Sequence, residues 1–486
     1  MSETASHEGA ATPAPTAATL ESLKGVKKKK IVAVVIVAAL GALAFGFDTG
    51  VISGAIPFLE LPFSKGGLAL SPKQVGIVTS SLLIGAAFGG VLAGNLADAK
   101  GRRPTIVVLS LLFIAGAVGT SQAPTMGVMV CFRIVLGLAV GGASAIVPVF
   151  IGELAPTRIR GNLVAVNELL IVTGQLLAYT TNAIIANVLP NHPDNWRWML
   201  LVCTLPAAGL FFGTLYLTES PRWLVAHHRP DEALKVLYQL RGEDDDIVGE
   251  LNDIDTHIAQ LRKEEGAGTL WQQLQVPWIR RITLIGIGLA FLSQMTGVNS
   301  VMYYAPTILI DTGLGTNAAL VATIANGVVA VAAVAFGSAV LLPRLSRRRM
   351  LLTGQIGVTI CHVLMGTAFL VLPAGPARAY VVLAFMLCFL FCMQGFVAVI
   401  FWLVLSEIFP VRVRGKVMGI AVFANWTANF IVALVFPQMQ AALGGATFFV
   451  FAVINFGTIF FYLKFIPETK GKSLEELEQA FAEGHR

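Results

Sequence analysis

Charge is what this chain most lacks. Only 13% of its 486 residues are Asp, Glu, Lys or Arg, against 56% hydrophobic, and the mean hydropathy is +0.75. A soluble protein of this length exposes too much surface to carry so little charge. Cysteine is sparse too. Cys131, Cys203, Cys361, Cys388 and Cys392 all lie in apolar runs, and none has the spacing of a metal site or a redox pair. The seven histidines are scattered. No metal cluster, cofactor motif or nucleophile–base pair stands out, so the chain does not read as an enzyme. The net charge of +6 raises nucleic acid as a partner. The basic residues, however, sit in short segments between apolar runs, which argues for none.

What is present is a series of apolar runs, each of about twenty residues and long enough to cross a hydrocarbon core as a helix. Glycine is abundant at 48 residues, as suits helices packed closely in lipid. The sequence predicts spans near 31–56, 74–94, 105–122, 126–149, 162–186, 197–217, 282–310, 318–342, 350–372, 379–405, 416–437 and 444–465. Lys27 to Lys30 followed by an apolar run, with Ala42-Leu43-Ala44 beyond, resembles a cleavable signal. That run continues through Asp48 to Ile56, which favours one long helix. The expected organisation is a disordered tail over 1–23, a six-helix bundle over 24–217 and a polar helical linker over 218–278. A second six-helix bundle follows over 279–466, then a tail over 467–486. Pro230-Asp231-Glu232 in the linker reads as a cap and first helical turn.

Alternate loops carry the arginines and lysines: Lys100, Arg102 and Arg103; Arg158 and Arg160; Arg344 and Arg347 to Arg349; Arg412, Arg414 and Lys416; Lys470 and Lys472. Those loops, and both termini, are expected on the cytoplasmic side of a cell membrane. The halves also repeat. Glu153 to Gly161 and Glu407 to Gly415 both read E-x-x-P-x-R-x-R-G, after spans four and ten. Thr218-Glu219-Ser220 and Pro467-Glu468-Thr469 take matching places after spans six and twelve. Duplicated halves suit a machine that rocks one bundle against the other around a midplane site.

These pieces, with Gly94-Asn-Leu-Ala-Asp98-Ala-Lys-Gly101-Arg102-Arg103, Glu219-Ser220-Pro221-Arg222, Gln294 to Pro306 and Pro467-Glu468-Thr469-Lys470-Gly471, occur in order over nearly the whole chain. The chain thereby resembles the sugar porter family of the major facilitator superfamily. The resemblance implies an all-α membrane protein with twelve transmembrane helices in two pseudo-symmetric six-helix bundles. It also implies alternating access, and a sugar or polyol as solute. The protein is expected to act as a monomer in the lipid bilayer.

Three groups of residues carry the functional expectation. Asp48 in span one and Arg133 in span four are charges inside apolar segments, at heights compatible with pairing. With the resemblance, in which proton-driven members carry Asp here, they read as a proton-coupling site, and Glu168 is a further candidate for that role. A hydroxylated solute needs amides and aromatics at mid-membrane. Gln175, Gln294, Asn299, Tyr303, Trp402 and Asn425, with Glu168, match the family's sugar-contact positions. Gln294, Asn299, Tyr303 and Tyr304 are expected to share one side of span seven. Finally, Asp98, Arg102, Arg103, Glu153, Arg160, Glu407 and Arg414 stand at helix ends. The two glutamates suggest gating ion pairs between the bundles.

The chain departs from the family pattern at four places. Glu168 stands where Gln is usual, Ser293 replaces the first of a glutamine pair, and Ala330 stands where span eight often supplies an amide. Pro343-Arg344-Leu345-Ser346-Arg347-Arg348 lacks the acid and glycine of its counterpart loop, which predicts a lopsided latch. The alternatives left open are a passive facilitator of the same solutes and a non-transporting nutrient sensor.

Overall fold

The computed structural model describes residues 31–155, 160–190, 192–242, 245–264, 270–410, 413–470 and 474–483. The expected N-terminal tail, Arg158, Arg412 and the side chain of Arg160 lie outside the described residues. No strand occurs among those described.

Spans one to five are Ile31–Leu59, Pro72–Lys100, Arg102–Ser121, Met126–Leu154 and Arg160–Val188. Span six is two abutting helices, Asn195–Val202 and Thr204–Thr214. Span seven is Pro277–Met295 followed by Val298–Asp311. Span eight starts at Thr316, and span nine is Arg347–Val371. Span ten runs from Pro376 to Ile408 through a π-helical stretch, Met393–Ala398. Spans eleven and twelve, Arg414–Leu443 and Thr447–Phe465, are separated by one tight turn at Gly444–Ala446. The linker forms short helices, among them Pro230–Leu240, which opens on Pro230 with Asp231 and Glu232 in its first turn as the sequence predicts.

The twelve spans make two six-helix bundles. Spans two and four, and one and five, are the closest partners in the first bundle. Spans two with eleven, and five with eight, join the bundles. Where spans two and four cross, a Cβ on Gly137 would stand 2.0 Å from the Leu82 carbonyl oxygen, and one on Gly141 2.0 Å from that of Ala86. Gly94, four residues beyond Gly90 on span two as Gly141 is beyond Gly137, has nothing within 4 Å. The G-x-x-x-G pattern therefore marks two different surfaces, and only the tertiary structure separates them.

Span seven departs from the predicted single helix. Gly297 has φ +82° and breaks it between Met295 and Val298. Backbone freed inside a membrane must be satisfied by other helices. Here Asn455 of span twelve donates to the Thr296 carbonyl at 3.4 Å. Asn455 in turn accepts from the Gln355 amide of span nine at 2.5 Å.

Gly141→Val should drive a side chain into the span-two backbone and cost about 1–3 kcal/mol. The readout is a lower thermal midpoint and a loss of monodisperse protein after purification. Gly94→Val should purify like wild type. Equal behaviour of the two variants would contradict the crossing.

Candidate functional site

Two charges meet deep in the first bundle. Asp48 of span one accepts from Arg133 of span four at 3.0 Å, with side chains 2% and 1% exposed. Neither charge is tolerable alone among apolar helices, so each holds the other in place. The pair is not saturated: Arg133 Nε is buried with no hydrogen-bond partner. Tyr303, from span seven of the other bundle, lies within electrostatic reach of both charges. A change in this pair can therefore be felt across the bundle boundary.

Above it the bundles close on each other. The Tyr179 hydroxyl of span five donates to the Met302 carbonyl of span seven at 3.1 Å. On the basic side of the pair, one turn before Asp48, Phe45 of span one packs against Trp426 of span eleven, ring centroids 5.9 Å apart.

The break in span seven organises the amides. Asn299 donates to Gln294 Oε1 at 2.6 Å across the break, and Gln294 donates to Asn425 of span eleven at 3.3 Å. Asn425 donates to Ser293 Oγ at 3.2 Å. Ser293, where a longer amide was expected, is thus part of the chain of hydrogen bonds. The expected single side of span seven is corrected accordingly: Gln294 and Asn299 face each other because Gly297 interrupts the helix. Tyr304 turns away and donates to the Ala433 carbonyl at 2.7 Å. Trp402 is 38% exposed, stacked edge-on with Phe401, and is not part of this amide chain.

Span five supplies the facing wall. Glu168 and Gln175 are seven residues apart, two turns on one helix face. Gln175 is buried with Oε1 unpartnered. Sequence reasoning missed Asn326. It is fully buried on span eight, with both amide atoms unpartnered. Its neighbour Gly327 lies against Leu176, the residue after Gln175. One turn before Ala330, Asn326 puts an amide on span eight, where the sequence reading took one as lost. Its signal was faint: an Asn in an Ala/Val-rich span.

At the basic end, the ion pairs lie within the bundles. Arg102 pairs with Glu153 at 3.2 Å and with Asp98 at 2.9 Å, and Arg347 pairs with Glu407 at 3.2 Å. Arg103 and Arg414 donate to carbonyls of their own bundle. Among the described residues, no ion pair joins the two bundles at this end in this form. Each glutamate ends its span beside the loop that precedes span three or nine, so that loop's arginine reaches it first.

The halves are also more alike than the sequence implies. Glu219 accepts from the backbone N–H of Arg102 and Arg103 at 2.9 and 3.2 Å, and Glu468 from those of Arg347 and Arg348 at 2.9 and 3.2 Å. Each glutamate caps the start of a span, satisfying N–H groups that have no partner inside the helix. Burial pushes both carboxyls up. For Glu219 burial wins over the backbone bonds. For Glu468, the Ser346 hydroxyl and three backbone N–H groups outweigh it and hold the carboxyl below its usual 4.5. Ser346, standing where the counterpart loop has glycine, thus places a hydroxyl that favours the ionised Glu468.

The family model described as "Sugar (and other) transporter" matches residues 34–481. Among curated proteins, the chain is 49% identical to a putative metabolite transport protein, YfiG, of Bacillus subtilis, covering 92% of this chain and 91% of that one. It is 45% identical to the major myo-inositol transporter IolT of the same organism, covering 92% and 93%. Among solved structures, the inward-open xylose transporter XylE of E. coli matches with a TM-score of 0.79 at 31% identity, covering 92% of this chain and 99% of that one. The proton:xylose symporter XylE bound to 6-bromo-6-deoxy-D-glucose matches with a TM-score of 0.74 at 31% identity, covering 93% and 99%.

Glu468→Gln should remove a charged cap and lower the thermal midpoint at pH 7 by the equivalent of about 1 kcal/mol. A depressed carboxyl contributes its stability above the unfolded-state value and loses it as pH falls through the folded-state value. The gap between wild type and variant should therefore hold at neutral pH and close below the usual 4.5. A gap that widens on acidification would contradict the assignment.

Proposed function

This chain belongs to the sugar (and other) transporter family of the major facilitator superfamily, and on that premise we propose that it is a proton-coupled symporter of a sugar or polyol, working by alternating access. The observation that carries the reading is the Asp48–Arg133 pair, sealed inside the first bundle at 3.0 Å. A carboxylate in that setting has two ways to avoid standing bare: its arginine, or a proton. Ionised Asp48 holds Arg133. Protonated Asp48 releases it, and Arg133 then biases Tyr303 and the helices around the solute. Proton and solute thereby act on one conformational equilibrium, which is the requirement for coupling.

Support for the solute class comes from chemistry and from likeness. The chain Asn299–Gln294–Asn425–Ser293 offers donors and acceptors beside a broken helix, and Gln175, Asn326 and Glu168 offer more from the facing spans. A carboxylate at Glu168 accepts two hydroxyls more strongly than the usual glutamine. That favours a polyhydroxylated ring, and the 45% identity to a myo-inositol transporter points to the polyol branch. The basic end is assigned to the cytoplasm by its lysines and arginines. The closure at the Tyr179–Met302 end supports an inward-facing reading of this form. That agrees with the higher TM-score to inward-open XylE than to the sugar-bound form. Arg102, Glu153, Arg347 and Glu407, with Asp98, Arg103, Arg160 and Arg414, act in this account as gating charges at the cytoplasmic end. The intra-bundle pairs keep the ends of spans three, four, nine and ten rigid while the bundles move.

The test is uptake into proteoliposomes with an imposed acid-outside gradient, using myo-inositol, xylose and glucose. One pH unit supports up to about tenfold accumulation at one proton per solute. Asp48→Asn should abolish accumulation and retain counterflow exchange. Uptake by wild type that ignores the gradient leaves a passive facilitator. Glu168→Gln should weaken the preferred solute about 10-fold or more, as expected for losing a charged hydrogen bond, while a solute that does not use the carboxylate changes little. Unchanged apparent affinity for every solute in the panel would remove Glu168 from the site.

A further inference from the structure

At the basic end of the second bundle, a cavity of about 170 Å³ opens where span seven begins and span twelve ends. A second, of about 330 Å³, adjoins it and shares Arg281, Ile285 and Phe465 in its wall. Nothing in the transport cycle above uses either. Three cations from three elements line the first: Arg281 of span seven, Arg348 of span nine and Lys464 of span twelve. Arg280 lines the second. Among the described residues, none of the four has a carboxylate within ion-pair distance of its side chain. Glu468 also lines the first cavity, but its oxygens already accept from the backbone N–H groups of Arg347, Arg348 and Lys470. Arg348 Nε is buried with no partner.

The rest of the wall is apolar. Ile282 and Ile285 form a buried floor. Leu284, Leu463 and Phe465 are 62%, 46% and 37% exposed on the adjoining helix surfaces, which belong to membrane spans and therefore face acyl chains. Trp278, in the first turn of span seven, stands at the boundary, where indole rings are favoured. Uncompensated cations above a lipid-facing apolar strip match one kind of ligand: a phosphate carrying hydrocarbon chains. A soluble anion would satisfy the cations and leave the apolar strip unused.

We propose that this paired cavity binds the head group of an anionic phospholipid from the leaflet at the basic end, with its phosphate among Arg281, Arg348 and Lys464 and its acyl chains along Leu284 and Phe465. The lipid would join the start of spans seven and nine to the end of span twelve, beside the Glu468 cap. The assignment does not depend on which solute is carried or on proton coupling.

The test is native mass spectrometry of the purified full chain titrated with phosphatidylglycerol or with phosphatidylcholine, with thermal midpoints in parallel. Phosphatidylglycerol should be retained selectively and raise the midpoint. Each cation near a lipid surface contributes about fivefold in affinity, so Arg281→Gln with Lys464→Gln should weaken phosphatidylglycerol about 25-fold. Arg281→Lys with Lys464→Arg should keep most of it. Should the neutral double variant not purify, Arg281→Gln alone, at an exposed position, carries the same test with an expected loss of about fivefold. Equal retention of the two lipids, or equal retention by wild type and neutral variant, overturns the proposal. So does an equal thermal shift from inorganic phosphate at matching concentration, which would make the site one for a soluble anion.

Discussion

A hydrocarbon interior offers no water to a bare charge or an open amide, and every structural decision in this protein follows from that. Charges that enter the membrane must find a partner or a polar cavity, and backbone that leaves the helix must be met by another helix. Asp48 and Arg133 obey the first condition, with side chains 2% and 1% exposed. Thr296 at the break in span seven obeys the second, through Asn455 and Gln355. These are also the places on which the proposed function draws. In the proposed function the ion pair is what a proton replaces, and the amides beside the broken helix are what a solute meets.

The two bundles use one construction twice. In each, a glutamate following the sixth span caps the start of the third, and an arginine from that same start reaches a glutamate ending the fourth. The second bundle keeps this geometry with a different loop sequence, because the work is done by backbone N–H groups and one guanidinium, which do not need the missing acid or glycine. Ser346 adds a hydroxyl in compensation. The asymmetry that remains is electrostatic: burial dominates at Glu219, hydrogen bonding at Glu468.

The buried polar groups divide between the bundles in a way that suits rocking. The chain from Asn299 to Ser293 belongs wholly to the second bundle, while Gln175 and Glu168 stand on span five of the first. Unpartnered atoms on Gln175, Asn326 and Asn429 are buried amides awaiting donors and acceptors. A solute rich in hydroxyls supplies both, and would draw the two sets together.

Much of this was legible in the sequence. The spans announce themselves because lipid accepts only long apolar helices, and the chain has few charges to obscure them. Asp48 and Arg133 were legible for the same reason: a lone charge in an apolar run demands a partner at its own height. The repeated E-x-x-P-x-R-x-R-G stretches disclosed two related halves. Sequence spacing could not say which arginine meets Glu153 or Glu407, because that depends on which three helix ends converge. Nor could it say that Gly137 and Gly141 touch backbone while Gly94 stands free. Nor could it tell that Asn326 is buried unpartnered while Tyr304 spends its hydroxyl on a neighbouring span. Composition along one helix is a local quantity that the solvent imposes, so it reads directly from the chain. Partnership between helices is set by crossing angle, depth and the order in which side chains reach one another, and only the folded bundle decides those.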